Sequence, residues 1–246
     1  MDELERQREL KREKVYRVFE TIAGGYDSAN VRISLGMQSR WKEMLVKRLI
    51  RRTEEHFPGT RQLRILDLCT GTGDIAVSIA RRRPDWEITG LDFSPAMLRR
   101  ARLKGRKRGL RGLRWKKGDA AAIPFPDGSF EAVSISFGLR NCADTAAVLK
   151  ETARVLKRGG TFMCIDSFTP QLQVVKPFYR LYFQKIMPLL GGGKAHRGEY
   201  EWLSDSTEQF LSPKELAALM RASGFGNIVI RQRMLGACVL LETTRL

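Results

Sequence analysis

The stretch LDLCTGTGD, residues Leu66–Asp74, decides the fold of this chain. The apolar segment Arg64–Leu68 leads into it and an apolar helical pattern over Ile75–Arg83 follows, so we predict a strand, a glycine turn and a helix. Glycines at the start of a helix let the backbone approach a bound ligand closely. Nineteen residues past Gly73, Asp92 ends the next predicted strand, where a carboxylate can accept hydrogen bonds from both ribose hydroxyls of an adenosine.

Strands and helices alternate along the rest of the chain. A helix is predicted over Asp144–Leu156, closed by Gly159-Gly160. Further strands are predicted over Glu87–Leu91, Leu113–Lys117, Ala132–Ser136 and Thr161–Ser167, with a final pair over Asn227–Arg233 and Ala237–Glu242. Alternation of this kind argues for a parallel sheet wrapped by helices on both faces. We therefore predict an α/β, Rossmann-like fold with seven strands, mostly parallel.

A chain of 246 residues can bury one sizeable core but hardly two full domains. We expect a single domain in four parts: an N-terminal helical cap (1–58), a cofactor-binding core (59–167), a lid insert (168–211), and a C-terminal helix with a strand pair (212–246). Two helices are expected in the cap, separated by Gly24-Gly25. The insert is rich in aromatic, Met and Leu side chains and contains Gly191-Gly192-Gly193.

The composition excludes several classes of protein. The chain is 43% hydrophobic, too apolar for disorder, and no run approaches the ~18 to 20 apolar residues that a membrane span needs. The charged N-terminus has no apolar signal region, so a cytoplasmic location is expected. The four cysteines are scattered, and neither histidine neighbours a Cys, Asp or Glu at metal-ligand spacing, so we expect reduced thiols and no metal.

The positive charge of the chain is its unusual feature. The net charge is +17, and eleven Lys or Arg but no acid stand between Arg99 and Lys117. This basic tract favours an acidic partner, either nucleic acid or an anionic lipid surface. The alternative is a solvated helix face and loop.

The glycine loop alone leaves two cofactor classes open, because GTGDIA, residues 71–76, also satisfies the dinucleotide fingerprint with Ala in the third position. Three features favour a sulfonium cofactor: the acid Asp67 four residues before Gly71, a Gly118-Asp119-Ala120 segment suited to an adenine, and the glycine pair before the fifth strand. The predicted cofactor site consists of Asp67, Gly71, Thr72, Gly73, Asp92, Phe93, Asp119, Ala120 and Ser136.

Together these residues resemble the Rossmann-like class I methyltransferases that use S-adenosylmethionine, over roughly residues 60–170. The chain departs from that pattern at two positions. Cys69 replaces the first glycine usual in the loop, and Arg158 replaces the proline usual before the glycine pair.

A more discriminating block, ISFGLRN, covers Ile135–Asn141 after the fourth predicted strand. It resembles the signature of the demethylmenaquinone and polyprenyl-benzoquinol C-methyltransferases. The segments Val18–Asp27 and Tyr200–Ser206 resemble other motifs of that family, and the similarity runs from about residue 15 to residue 242. The resemblance implies C-methylation of a polyprenylated quinol, converting demethylmenaquinol to menaquinol or methylating the benzoquinol precursor of ubiquinone.

The same resemblance implies a catalytic role for Arg140, which could stabilise phenolate charge or hold an activating water. Tyr26 and Asn141 could share its hydrogen-bond relay. A structural alternative stands beside each: an ion pair for Arg140, helix packing for Tyr26 and a helix cap for Asn141. His196 is a conceivable base, but it matches no motif of the family.

Two other functions are open at this point. A nucleic-acid methyltransferase would suit the positive charge, but enzymes acting on exocyclic base nitrogens typically present Asn/Asp-Pro-Pro-Tyr/Phe where residues 136–139 read SFGL. Another small-molecule O- or N-methyltransferase is the second alternative. We expect a polyprenylated quinol as substrate, no stable nucleic-acid partner, and peripheral contact of the basic tract with the anionic inner face of the membrane. The insert fits an isoprenoid channel or a homodimer surface equally well.

Overall fold

In the computed structural model, residues 2–110, 112–182, 186, 187, 190 and 196–246 are described, and their strands form one sheet. The strands are β1 Arg64–Leu68, β2 Glu87–Asp92, β3 Leu113–Lys117, β4 Phe130–Ser136, β5 Leu156–Ser167, β6 Phe225–Arg233 and β7 Cys238–Arg245. The predicted Gly191-Gly192-Gly193 segment lies outside the described residues.

Nine helices are described. They are α1 Glu3–Ile22, α2 Tyr26–Ile33, α3 Met37–His56, α4 Asp74–Arg82, α5 Pro95–Lys107, α6 Thr145–Val155, α7 Lys176–Leu181, α8 Arg197–Glu208 and α9 Pro213–Ala222. Short 3₁₀ turns follow β4 at Leu139–Asn141 and β6 at Met234–Gly236.

The seven strands are arranged in the order β3-β2-β1-β4-β5-β7-β6. The first five run parallel, and β7 is antiparallel to both of its neighbours, β5 and β6. The prediction of a seven-stranded, mostly parallel sheet is confirmed. Because parallel strands end at the same edge, the loops after β1, β2, β4 and β5 meet there, which is where ligands bind in open α/β sheets.

Apolar side chains cover both faces of the sheet, which explains why the central strands read as nearly continuous apolar runs. On one face, Leu149 of α6 and Leu216 of α9 are fully buried with Val133 of β4. On the other face, Leu45 of α3 and Ile79 of α4 are fully buried with Ile65 of β1. The prediction of helices on both faces is also confirmed.

The N-terminal part differs from the expectation of two helices. Besides the break at Gly24-Gly25, a second turn at Leu35-Gly36 separates α2 from α3, so that three helices precede β1. Gly36 adopts a left-handed φ of 76° there. The short helix α2 was missed because its eight residues carry only one buried side chain, Ala29, and therefore little apolar periodicity. The division into cap, core, lid and C-terminal part stays a prediction.

Gly159-Gly160 does not close a helix as predicted. Helix α6 ends at Val155, and β5 already begins at Leu156, which pairs with Phe130. The pairing of β5 with β4 then shifts, so that Ala132 lies opposite Thr161. Gly159 adopts a left-handed φ of 74° within this irregular segment, which favours glycine. The Gly159-Gly160 pair therefore lies in a β-bulge and does not end a helix.

No helix among the described residues is long and apolar enough to span a membrane.

Candidate active site

Two cavities adjoin each other at the carboxyl edge of the sheet. The first, of about 300 Å³, lies between the loops after β1, β2 and β4 and helix α1. The second, of about 470 Å³, lies between α2, α3, α7, α8 and the β6–β7 turn. Among the described residues, Tyr26 and Phe137 are the two that line both cavities.

The ring of Trp115, on β3, packs against the glycine loop. A Cβ atom at Gly73 would lie 2.5 Å from the Trp115 ring, and one at Gly90 of β2 would lie 2.6 Å from it. Gly73 also has a left-handed φ of 83°, directly before α4 begins. Larger residues are therefore excluded at both positions, and the start of α4 is held close to β2.

Asp92 ends β2 and lies in the wall of the first cavity, buried to 95%. Its Oδ2 accepts a hydrogen bond from the Gly71 amide at 2.8 Å and its Oδ1 accepts one from the Ser94 amide at 2.9 Å. Burial raises the pKa of Asp92 to about 6, although these hydrogen bonds act in the opposite direction. A carboxylate in this place can still accept hydrogen bonds from a ribose.

The structure assembles most of the predicted cofactor site around the first cavity. Its lining includes Gly71, Asp92, Phe93, Asp119, Ala120 and Ser136. Asp67 and Thr72 instead line a small adjoining space of about 30 Å³, and Gly73 lines neither. Asp67 is buried, with hydrogen bonds from the hydroxyls of Thr70 (2.5 Å) and Ser134 (2.8 Å), and burial raises its pKa to about 6.

Two buried polar atoms in the first cavity have no hydrogen-bond partner among the described residues. They are Oγ of Ser136, at the end of β4, and Oδ1 of Asn141, in the turn that follows. Unpartnered buried polar groups are rare in native proteins, because each costs about 1–3 kcal/mol. These two atoms are therefore suited to a polar ligand that completes their hydrogen bonds. Asn141 is not a helix cap, because Asp144 caps α6.

Helix α1 forms the outer wall of the first cavity. This position was not predicted. Arg8 forms an ion pair with Asp144 (2.9 Å), and Arg12 forms one with Asp119. Lys11 lies between them and donates to the carbonyl oxygen of Arg140 at 3.3 Å. No local sequence pattern indicates these contacts, because apolar periodicity predicts a helix but not its contacts with residues 119–144.

A charged network also surrounds the glycine loop. Lys42 Nζ lies 2.9 Å from Asp74, while Lys104 Nζ contacts Asp74 and lies 2.8 Å from Asp27. Thr72 joins the network by donating to Asp27 at 2.6 Å. Burial alone would raise the pKa of Asp74, but the two ammonium groups hold it below its usual range. Asp27 ends the quoted segment Val18–Asp27, so its place in that motif was the available signal.

The second cavity is mostly apolar, and no acidic side chain lines it in the part of the chain that the structure describes. Its apolar lining includes Ile33, Trp41, Phe178, Met187, Leu203 and Leu235. Arg140 is the charged residue among those that line it. Tyr26, at the junction of the two cavities, packs edge-on against Phe19 with ring centroids 5.9 Å apart. Both interpretations of Tyr26, packing and site residue, therefore agree with its position.

Arg140 is held firmly at the inner end of the second cavity. Its Nη1 lies 2.5 Å from Oδ1 of the fully buried Asp166 and 3.1 Å from the Phe137 carbonyl oxygen. Its buried Nε has no partner among the described residues. Arg140 thus has the ion pair of the structural alternative and also an unused donor. His196 lines neither cavity.

Residues 7–244 match the model of the ubiE/COQ5 methyltransferase family. The chain belongs to this family. The match covers nearly the whole chain, from the first turns of α1 to the last residues of β7, and includes all the described residues that line the two cavities except Glu5. The family resemblance inferred from the ISFGLRN block is confirmed.

Relatives of the methyltransferase are similar over most of their length. The chain is 41% identical to a demethylmenaquinone methyltransferase from Thermus thermophilus, over 85% of this chain and 91% of the relative. It is 40% identical to a ubiquinone/menaquinone biosynthesis C-methyltransferase from Desulfotalea psychrophila, over 90% and 86%. A solved S-adenosylmethionine-dependent methyltransferase from Thermotoga maritima shares the fold, with a TM-score of 0.58 and 22% identity over 94% of this chain and all of that one.

The methyltransferase uses S-adenosylmethionine, and the first cavity fits this cofactor. Asp92 presents in its wall a carboxylate that can accept hydrogen bonds from hydroxyl groups, while the unpartnered atoms of Ser136 and Asn141 offer polar contacts within the same cavity. Among the described residues, no group of three or more His, Cys, Asp or Glu could hold a metal ion.

Proposed function

We propose that the methyltransferase methylates a ring carbon of a polyprenylated quinol, with demethylmenaquinol as the acceptor that gives menaquinol. The observation that carries this proposal is the second cavity. It is mostly apolar, Arg140 is the cationic residue among the described residues that line it, and it adjoins the cofactor cavity at Tyr26 and Phe137. A prenylated aromatic ring suits such a cavity, because the tail is apolar and the hydroxyl needs a polar group. The names of the relatives support the same acceptor.

Bound S-adenosylmethionine supplies an electrophilic methyl group on sulfur. Asp92 accepts hydrogen bonds from the ribose, and Ser136 and Asn141 contact polar groups of the bound molecule. These contacts fix the direction from which the acceptor ring must approach. Orienting two reactants in this way makes a bimolecular step effectively unimolecular and lowers its activation free energy by several kcal/mol.

On the acceptor side, Arg140 carries the main role. Its guanidinium, fixed by Asp166 and the Phe137 carbonyl, uses its remaining donor to bind the quinol oxygen as the hydroxyl proton leaves. The positive charge stabilises the phenolate, whose electron density then rises on the neighbouring ring carbon. That carbon gains the methyl group as the bond between methyl and sulfur breaks and S-adenosylhomocysteine leaves. The ring carbon then loses its own hydrogen as a proton, the quinol oxygen takes up a proton again from solvent, and the ring becomes aromatic, so that one proton is released overall. Tyr26 orients the ring at the junction of the cavities.

Product analysis tests the proposal. The protein would be incubated with methyl-labelled S-adenosylmethionine and either demethylmenaquinol or the benzoquinol precursor of ubiquinone, and the products identified by mass. We expect label on the naphthoquinol ring carbon. Absence of label from both quinols, together with label on added RNA, would overturn the proposal in favour of the nucleic-acid alternative, which neither the family nor residues 136–139 favour.

We also propose that the enzyme works on the cytoplasmic side, at the inner face of the membrane, because a prenylated acceptor resides in the bilayer and the chain carries a net charge of +17. Vesicle co-sedimentation tests this: binding should need anionic lipid and weaken with salt. A homodimer stays a prediction.

A further inference from the structure

Three separate segments place large apolar side chains in water around the mouth of the second cavity. Leu35, in the α2–α3 turn, is 74% exposed; Phe178, on α7, is 76% exposed; and Leu235, in the β6–β7 turn, is 64% exposed. All three also line the cavity. Val31, one helical turn before Leu35, and Val174, shortly before α7, are exposed as well. We call these five residues the apolar rim. Large apolar side chains that are exposed around one cavity are typical of an interaction site.

The backbone at two of these positions is unusual. Leu35 has a φ of 49° and Leu235 a φ of 54°, and the preceding Met234 has a φ of 47°. The left-handed region is unfavourable for leucine and methionine, and turns that need it normally use Gly or Asn. Exposed, strained apolar residues contribute little to folding stability. Such strain, where it is observed, is associated with function.

The charge of the same segments is one-sided. Residues 28–42 and 167–198, each bounded by acids, and residues 224–241, which end before Glu242, together contain ten Lys or Arg and no Asp or Glu. Among the described residues of these segments, Arg32, Arg40, Arg197 and Arg233 are exposed basic side chains, whereas Lys42 is partly buried beside Asp74 and Arg231 pairs with Glu242. An apolar rim set among basic residues is complementary to an anionic lipid bilayer, in which apolar side chains enter the interface and basic residues attract the headgroups.

The tip of the basic tract 99–117, residues 106–108, lies away from the rim, whereas Lys104 and Lys117 of the same tract lie towards the carboxyl edge. Helix α5 leads from the carboxyl end of β2 to the amino end of β3, so Arg106, Lys107 and Arg108 lie at the edge of the sheet opposite to both cavities. The rim lies at the carboxyl edge, where β4, β5 and β6 end. A molecule docked through the tip of the tract would therefore point the mouth of its substrate cavity away from the membrane.

We propose that the apolar rim, and not the basic tract, is the surface that docks onto an anionic lipid bilayer. Docking through the rim opens the mouth of the second cavity directly onto the lipid, so that a prenylated acceptor enters ring first without crossing water. The proposal rests on the proposed function in taking the acceptor to be prenylated.

The test compares two variants in vesicle co-sedimentation. In the first, Val31→Asp and Val174→Asp add acids to the rim; neither residue lines the cavity or packs in the core. In the second, Arg106→Gln, Lys107→Gln and Arg108→Gln remove a larger amount of charge from the tract. Vesicles of pure phosphatidylcholine and vesicles with one third phosphatidylglycerol are used, and each variant is also assayed with a tail-less, water-soluble naphthoquinol.

We expect the rim variant to bind anionic vesicles at least tenfold more weakly than the wild type, and the tract variant to bind within about threefold of it. Both should methylate the soluble quinol at the wild-type rate. Wild-type binding by the rim variant, with loss in the tract variant, would overturn the proposal. A concentration-dependent dimer that the rim variant abolishes, without any vesicle binding by the wild type, would assign the rim to a second copy instead.

The soluble quinol separates this proposal from the proposed function. Methylation of that quinol without vesicle binding would leave the function standing and reject the docking surface. Rim-dependent vesicle binding without methylation of any quinol would support the docking surface and reject the proposed function.

Discussion

Asp92 is an acid that the fold holds away from water in the wall of the cofactor cavity. Because its pKa is raised to about 6, it becomes protonated as the pH falls through 6, well above the range where an exposed aspartate does so. Ribose binding requires the carboxylate form as acceptor. We therefore expect cofactor affinity to be flat above pH 7 and to fall roughly tenfold per pH unit below 6, measured by titration calorimetry between pH 5 and 8.

Two variants check this assignment. Asp92→Asn should bind the cofactor more weakly by about 1.5–3 kcal/mol at pH 7.5, the scale of a charge-assisted hydrogen bond, and lose the pH dependence. Asp67→Asn is the matched control, because burial raises the pKa of Asp67 to the same value of about 6 but it lines only the small adjoining space. A pH dependence that follows Asp67 instead would remove Asp92 from the ribose site.

Arg140 has an observed ion pair with Asp166 and a proposed role in turnover, and a single substitution would remove both. Arg140→Gln leaves the fully buried Asp166 without its ion-pair partner, and breaking a buried pair costs about 3–5 kcal/mol, so lost turnover could reflect unfolding. Adding Asp166→Asn removes the uncompensated charge. We expect the double variant to regain most of the melting temperature, to bind S-adenosylmethionine normally, and to remain about 100-fold or more below wild-type turnover.

The double variant can also contradict a catalytic role for Arg140. If the double variant regained wild-type turnover together with its stability, the guanidinium would serve only the fold, and the phenolate would need another partner.

At the scale of whole elements, the N-terminal half of helix α1, residues 3–14, is held over the cofactor cavity by a few partly exposed contacts, whereas Val15, Val18 and Ile22 bury its C-terminal half. Each ion pair of this kind contributes about 0–1 kcal/mol, so the N-terminal half can detach without unfolding the core. We expect Arg8→Gln with Arg12→Gln to raise the cofactor dissociation rate about fivefold, measured by stopped flow, while the melting temperature stays within a few degrees.

The matched control lies on the same helix. Arg6 and Arg17 pair only within α1, with Glu3 and Glu13, so Arg6→Gln with Arg17→Gln removes the same charge without touching the cavity wall. Equal acceleration by this control would show that the net charge of α1, and not its two contacts, sets the rate.

How far the sequence predicts each element depends on the range of its interactions. The glycine loop, Asp92 and the alternation of strands are local patterns, and the structure agrees with them. The contacts of α1 with Asp119 and Asp144, and of Arg140 with Asp166, join residues far apart in the chain, and no local pattern reports them. Helix α2 and the bulge at Gly159 were missed because their signals, one buried side chain and one glycine pair, also suit other structures.

At the scale of the whole molecule, different elements line the two cavities. The parallel strands β1, β2 and β4 place the cofactor groups, whereas the second cavity is lined from α2, α3, α7, α8 and the β6–β7 turn. The apolar elements thus surround the acceptor and carry the exposed rim. If the proposed function and docking surface hold, this arrangement brings the cofactor from water and the acceptor from the bilayer to the junction of the two cavities at Tyr26 and Phe137.

The size of the second cavity sets how acceptor binding should depend on the prenyl tail. A volume of about 470 Å³ must hold the ring and only the first part of a tail, with the remainder beyond the mouth. Since burying one CH₂ contributes about 0.8 kcal/mol, the first isoprene unit should raise kcat/KM at least tenfold, and further units should add little in dilute dispersion. A series of demethylmenaquinols with zero to four units measures this. A steady rise through all four units would place a longer apolar groove on the surface, whereas no dependence on the first unit would mean that the tail does not enter the second cavity.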